Sequence, residues 1–385
     1  MLGSDVTALA VVRQAAALGV RPVVVDTHRG IAAASRLARA EVLSAAPPEL
    51  LRRIRAWSAK APSALLATSD VWLRVLLEHR RELESCCPDV LHPPNAGLEI
   101  CLDKRRFAAW CGEMGLPAPR SYGPSLASEP GTDGSEGGVT FPVLVRPAQT
   151  LHSRAVAAAP KAVEVRCPQE LLRCLERFRR ADVSPVVCES LLGRRLQQFS
   201  VGVARTAGRS LTVVTRKLRP AAEACAVGSL VEVTEQADVE QLALRAATAL
   251  DYRGIAEIEV LRDEASGETF LIEVNARPWL QFGLAAATGR DLLRFVLGDS
   301  AAPLERTPAR RRSAVWLDFR NDLRVCFGPR GLVRAGRLTF PDYLRSIARA
   351  NVFARWSLAD PLPFWIDTCA LVRAAASRAT RANRH

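Results

Sequence analysis

Two segments, GIAEIEVLRD at 254–263 and ETFLIEVNARP at 268–278, alternate apolar and polar side chains on either side of a short turn containing Ala265, Ser266 and Gly267. Successive strand residues point to opposite faces. Glu257 and Glu259 therefore share one face, as do Glu273 and Asn275, while Ile258, Val260, Ile272 and Val274 supply an apolar face. A hairpin centred near Ser266 sets Glu259 opposite Glu273 and Glu257 opposite Asn275. Like charges opposed across strands repel, so the face needs a counterion, and hard oxygen donors on a rigid pair of strands favour magnesium bridging phosphates. Arg277, two residues further along the same face, can then meet a phosphate or a developing anion. The alternation by itself equally describes a hairpin whose polar face meets solvent, so the choice rests on the rest of the chain.

Upstream, a helix at Thr7–Leu18, a buried strand at Arg21–Asp26, a helix at Glu49–Ser58 and a strand at Ala64–Thr68 alternate as in parallel α/β layering. Thr68, Ser69 and Asp70 supply N-cap residues to the helical run that follows. These elements read as a Rossmann-like domain over 1–94, although only Met1 and Leu2 are left for its first strand. Past the Pro/Asn/Gly turn at 92–97 come a helix closed by Gly115 and a Ser/Gly/Pro-rich insertion at 124–138. Short buried strands at FPVLVRP and SPVVCESLLG follow, separated by a helix at Pro168–Arg180. Strands predominate over 198–233, then a helix at Val239–Leu250 leads into the hairpin. The fold class is α/β and α+β, multidomain. After Pro308, short strands mix with helices around 343–349 and 365–378.

Composition removes several classes. No apolar run is long enough for a transmembrane segment and no secretory leader opens the chain, so a cytoplasmic protein is expected. Ten cysteines without a C-x-x-C and five dispersed histidines argue for reduced thiols and against zinc. Of the net charge of +13, residues 301–385 carry +10, from 16 arginines against six acids. No aromatic-interleaved basic motif accompanies them, so no nucleic-acid partner is expected; a solvated basic surface, an acidic partner or a membrane surface would all suit this segment.

The run FLIEVNARPWLQFGLAAATGRDL resembles the C-terminal magnesium motif of the ATP-grasp superfamily, particularly its carboxylate-amine ligases. DKRRF with GLPAP, FPVLVRP, VVCESLLG and RKLRP precede it in family order, so the resemblance covers about residues 1–300. It implies an ATP-grasp domain over 95–300, with a nucleotide-covering part at 95–187 and a magnesium and substrate part at 188–300, leaving 301–385 as a basic extension. It also implies ATP and Mg2+ as cofactors, with Glu259, Glu273 and Asn275 as metal ligands and Glu257 as an extra carboxylate. Lys104 corresponds to the first ATP-contacting lysine, a compact charge in a chain with only four lysines. Glu189, with Leu191 and Leu192, corresponds to the hinge that faces adenine. Arg277, Arg216 and Lys217 correspond to the basic groups around the γ-phosphate and the substrate carboxylate.

Three departures are visible. Arg146 stands where the family usually has a second ATP lysine, the stretch AQTLHSRA at 148–155 has no glycine, and Gln198 stands where an acid often binds the ribose. The resemblance implies small-molecule carboxylate and amine substrates, an acyl-phosphate route releasing ADP, closure of residues 124–200 over the nucleotide, and it allows a homodimer. The departures motivate a rival, an ATP-binding regulatory or scaffold protein with impaired catalysis. A basic adaptor acting through the tail is a third reading.

Overall fold

The computed structural model describes residues 1–43, 48–61, 63–123, 138–149, 162–220, 227–298, 313–329 and 331–382, with 374–382 as backbone only. The insertion at 124–138 (apart from Gly138) and the glycine-free stretch beyond Gln149 lie outside the described residues.

Helix α1 (Val6–Ala17) starts where the Asp5 carboxylate accepts the Ala8 N–H at 2.9 Å. It is followed by β1 (Val23–Asp26), a 3-10 turn at Ile31–Ala34 and β2 (Arg39–Val42). Then come α2 (Pro48–Ser58), β3 (Ala64–Leu65), α3 (Asp70–Glu78), α4 (Arg80–Cys86) and β4 (Asp89–Val90). β1 pairs in parallel with β2, and β3 with β4. The expected first strand is reduced to one bridging residue: Leu2 pairs in parallel with both Val25 and Ala67, its N–H donating to Leu66 O at 2.8 Å. β2 escapes a reading by hydropathy, since the RAEV segment has no buried residue.

A second group comprises α5 (Asn95–Leu102), α6 (Lys104–Glu113), β5 (Ser121–Tyr122), β6 (Val143–Pro147), β7 (Val163–Val165), α7 (Pro168–Arg180) and β8 (Pro185–Glu189). The strands form an antiparallel sheet in the order β5-β8-β6-β7. Leu171, Leu175 and Phe178, at helical spacing on α7, bury themselves with Val143, Val145 and Val165 of that sheet.

The largest sheet holds the hairpin. It uses β9 (Leu196–Thr206), β10 (Arg209–Pro220), β11 (Gly228–Val233), β12 (Gly254–Asp263) and β13 (Thr269–Asn275), with α8 (Ala237–Ala249) joining β11 to β12. Beyond it lie α9 (Gly283–Ala287), α10 (Leu292–Leu297), β14 (Val315–Leu317), α11 (Phe319–Phe327), α12 (Phe340–Ala348), β15 (Val352–Phe353) and α13 (Leu362–Ala382). The order is β13-β12-β9-β10-β11-β14-β15, antiparallel except for β14 and β15. The basic C-terminal segment thus completes this sheet, because β14 hydrogen-bonds directly to β11.

One buried cluster runs from Leu2, Val25 and Trp72 through Phe199, Val201 and Ile258 to Val274 and Ala276, so the parallel strands and the hairpin share a core. Gly202 of β9 is required by a close approach, since a Cβ there would sit 2.0 Å from the fully buried Trp279 ring. Among the described residues no helix is long and apolar enough to cross a membrane.

Candidate active site

The hairpin register places Glu257 opposite Asn275 and Glu259 opposite Glu273, with an irregularity only beyond Glu259. The apolar face is buried at Ile258, Val260 and Val274, which fixes the polar face toward a cleft of ≈ 440 Å³. Asn275 donates through Nδ2 to Glu257 Oε2 at 3.1 Å and to Glu273 Oε1 at 3.2 Å. Lysines neutralise the outer carboxylates: Lys104 Nζ lies 3.1 Å from Glu273 Oε2 and Lys217 Nζ 3.4 Å from Glu259 Oε2. Lys104 reaches the hairpin because Asp103 caps α6, and the Lys104 N–H is tied to Ala148 O at 2.8 Å, beside β6.

The carboxylates titrate apart. Burial, reinforced by Glu257 and Glu273 and opposed by Lys217, pushes Glu259 up to about 7. Burial also acts on Glu273, but Lys104 and Arg146 outweigh it and hold that carboxyl down at about 2. Burial raises Glu257 despite Lys217 and Arg277. Lys217 is itself almost enclosed, and Glu259 and Glu257 more than offset the burial that would favour its neutral form.

Arg277 enters from just past β13. Its Nε donates to Asp70 Oδ1 at 2.6 Å and its Nη2 to Asn275 Oδ1 at 3.4 Å. Asp70 opens α3, so the first parallel strands and the hairpin meet at this ion pair. A second junction lies behind it at His92, which is fully buried. The Ala67 N–H donates to His92 Nε2 at 2.7 Å, which leaves the proton on Nδ1 to reach Ala276 O at 2.9 Å. Burial pushes His92 down to about 3, so it stays neutral.

Arg146 of β6 also lines the cleft, and its buried Nε has no hydrogen-bond partner among the described residues. The remaining expected residues lie elsewhere. Arg216 neighbours Lys217 and so points to the opposite face, where Nη2 meets Glu232 at 2.5 Å. Glu189 binds Arg194 at 3.0 Å, Leu191 is buried, Leu192 is exposed, and Gln198 sits in β9 opposite Leu261 of β12. None of these five lines the cleft as formed by the described residues.

Asp5, Thr68, Ser69, Asp70 and Gln281 do line it, without having been singled out for chemistry from the sequence. For Asp5, Thr68, Ser69 and Asp70 the only local signal is their place at the starts of α1 and α3, and Gln281 has none. Among the described residues no three His, Cys, Asp or Glu side chains converge as a ready-made metal cluster. Two carboxylates and an amide oxygen do suffice for magnesium, which typically takes one or two carboxylates and completes its shell with phosphate and water. The orphaned Arg146 Nε and the two lysines offer donors to such phosphates.

No family model matches the chain, and no curated protein matches it. Solved structures do. The L-amino acid ligase of Bacillus licheniformis is 16% identical, with a TM-score of 0.58 over 82% of this chain and 77% of its own. A carboxyaminoimidazole ribonucleotide synthase of Aspergillus clavatus, complexed with ATP, is 15% identical, with a TM-score of 0.60 over 82% of this chain and 80% of its own. The biotin carboxylase domain of the Hydrogenobacter thermophilus 2-oxoglutarate carboxylase, a dimer in complex with MgADP and bicarbonate, is 16% identical, with a TM-score of 0.57 over 82% and 73%. At such identities the likeness speaks for the fold: this chain has the fold of the ATP-grasp ligases.

Proposed function

We propose that the chain is an ATP- and magnesium-dependent ligase, ADP-forming, which activates a substrate carboxylate as an acyl-phosphate for attack by an amine or related nucleophile. The observation that carries this reading is one cleft in which the Glu259, Glu273 and Asn275 face lies beside Arg146, Lys217 and Arg277, with Lys104 paired to Glu273. The fold shared with the L-amino acid ligase and with proteins complexed with ATP or MgADP supports it.

Magnesium held by Glu259, Glu273 and Asn275 would neutralise phosphate charge during phosphoryl transfer. Lys104, Lys217 and Arg146 hold the phosphate oxygens, and the Lys104 and Lys217 charges are already aimed by their carboxylates. A carboxylate oxygen of the acid attacks the γ-phosphorus and ADP departs. The amine then adds to the acyl carbon, and Arg277, steadied by Asp70, faces the oxyanion before phosphate leaves. Within this reading a first domain ends at about residue 94, while β14 and β15 belong to the sheet of the second and not to a separate extension after residue 300.

The test incubates purified protein with ATP, Mg2+ and pooled acids and amines and measures ADP and phosphate. Substrate-dependent release that falls by roughly a thousandfold in Glu273→Gln supports the ligase; AMP and pyrophosphate would contradict the acyl-phosphate route. Arg146 in place of the family lysine favours one rival, an ATP-binding protein without turnover. Nucleotide binding with no ADP release under any pool would select it.

A further inference from the structure

Helix α13 leaves an apolar stripe uncovered. At 100° per residue, Leu362, Trp365, Ile366, Cys369 and Val372 fall on one stripe at i, i+3, i+4, i+7 and i+10. That stripe faces solvent: Leu362 is 47% exposed, Trp365 55%, Ile366 48% and Val372 62%. The charged residue of these turns, Asp367, instead faces the body of the protein, where its carboxylate meets Arg320 at 2.8 Å and Arg355 at 3.0 Å. Phe364 also faces inward, against Trp356. The helix is therefore held by the Asp367 ion pairs together with Phe364 and the buried Pro363, and presents its longer apolar stripe outward.

The exposure extends beyond this helix. Of 18 exposed large apolar side chains among the described residues, 11 fall between 319 and 372, including Leu358 at 85%. An apolar surface concentrated in one segment marks an interaction site. The charge of the same segment identifies what it meets. Residues 301–385 carry a surplus of +10, and after Asp367 the chain holds four arginines and no acid. Two copies docked through this face would oppose these surpluses, so self-association is disfavoured. A helix with an exposed apolar stripe and a tryptophan within it, in a segment whose sequence is strongly basic, matches a helix lying in the plane of an anionic lipid surface.

We propose that the α13 face docks the protein reversibly on membranes rich in anionic phospholipid, with Trp365 and Ile366 entering the headgroup boundary and the positive charge of this segment of the sequence drawing it to the anionic surface. This inference does not depend on the ligase reading.

The test is sedimentation of the full chain with vesicles of phosphatidylcholine alone or mixed in roughly equal parts with phosphatidylglycerol. Binding is expected only to the mixed vesicles, weakening with salt. W365S/I366S, two exposed positions away from the cleft, is expected to lower the partition coefficient by about tenfold or more with an unchanged melting temperature. Val372→Asp provides an independent second variant with the same expectation. Equal binding to both vesicle types, no binding to either, or unaltered binding by both variants overturns the proposal. So does a concentration-dependent dimer that W365S/I366S dissolves without any vesicle binding, or retention on an acidic protein but not on lipid.

Discussion

Glu259 and Glu273 face each other across two strands, yet their surroundings drive their protons in opposite directions, one up to about 7 and the other down to about 2. Between the ordinary value of 4.5 and about 7 the folded protein keeps a proton on Glu259 that the unfolded chain releases. Its contribution to stability is therefore full below that window and is lost as pH rises through it. Glu273 does the reverse: its contribution is present above 4.5 and disappears as pH falls toward about 2. A cation gripped by both must displace the Glu259 proton. Calorimetry should show Mg2+ binding with release of about one proton at about pH 6 and none at about pH 8, affinity rising with pH up to about 7. Proton uptake, or affinity that falls with pH, would remove Glu259 from the ligand set. Arg277 makes a second case. With Asp70→Asn the guanidinium loses its charged partner, and kcat in the ligase assay is expected to drop by about ten- to a hundredfold while the nucleotide Kd stays unchanged. A matching loss of nucleotide affinity would place Arg277 on the nucleotide instead.

At the scale of elements, the hairpin was almost wholly legible, because a period of two and a turn position determine which residues oppose each other, and both are local. Helix α7 was legible for the same reason, its Pro and amphipathic spacing being contained in one stretch. Asp70 was legible at a helix start, where Ser69 is the cap, but not as the partner of Arg277, since the two lie 207 residues apart. Arg216 could have been separated from Lys217 by alternation alone, which sends neighbours to opposite faces. Helix α11 was missed because its nine residues are polar on average and too short for a clear period. Packing between strand and loop was equally hidden, as at Gly202 beneath Trp279. A Cβ at Gly202 would fall within the ring's envelope, so Gly202→Ala should cost about 1–3 kcal/mol, read as a lower denaturant midpoint with an unchanged slope. An unshifted midpoint would mean that Trp279 swings aside freely.

At the scale of the whole molecule, the basic segment beyond residue 312 is part of the body. Asp360, with no exposed surface, accepts from Arg13 Nε at 3.3 Å and from the Ser35 hydroxyl at 2.8 Å, while Arg36 binds Ala359 O at 2.7 Å. Arg13 further donates to Asp360 O at 2.9 Å and Arg355 O at 2.7 Å, so helix α1 is fastened to the tail at several points. Asp360→Ala leaves a mostly buried guanidinium without its counter-charge and should destabilise the protein by about 3–5 kcal/mol in chemical denaturation. Loss below about 1 kcal/mol would show that water replaces the carboxylate there.

The fastening of Asp360 to Arg13 spans 347 positions of the chain. Synthesis proceeds from the N-terminus, and domains fold as they emerge. Helix α1 must therefore wait, with Arg13 and Ser35 uncovered, until Asp360 has emerged from the ribosome. A product truncated before this aspartate keeps that flank open, so cellular proteases and chaperones would have a physical mark by which unfinished copies differ from finished ones.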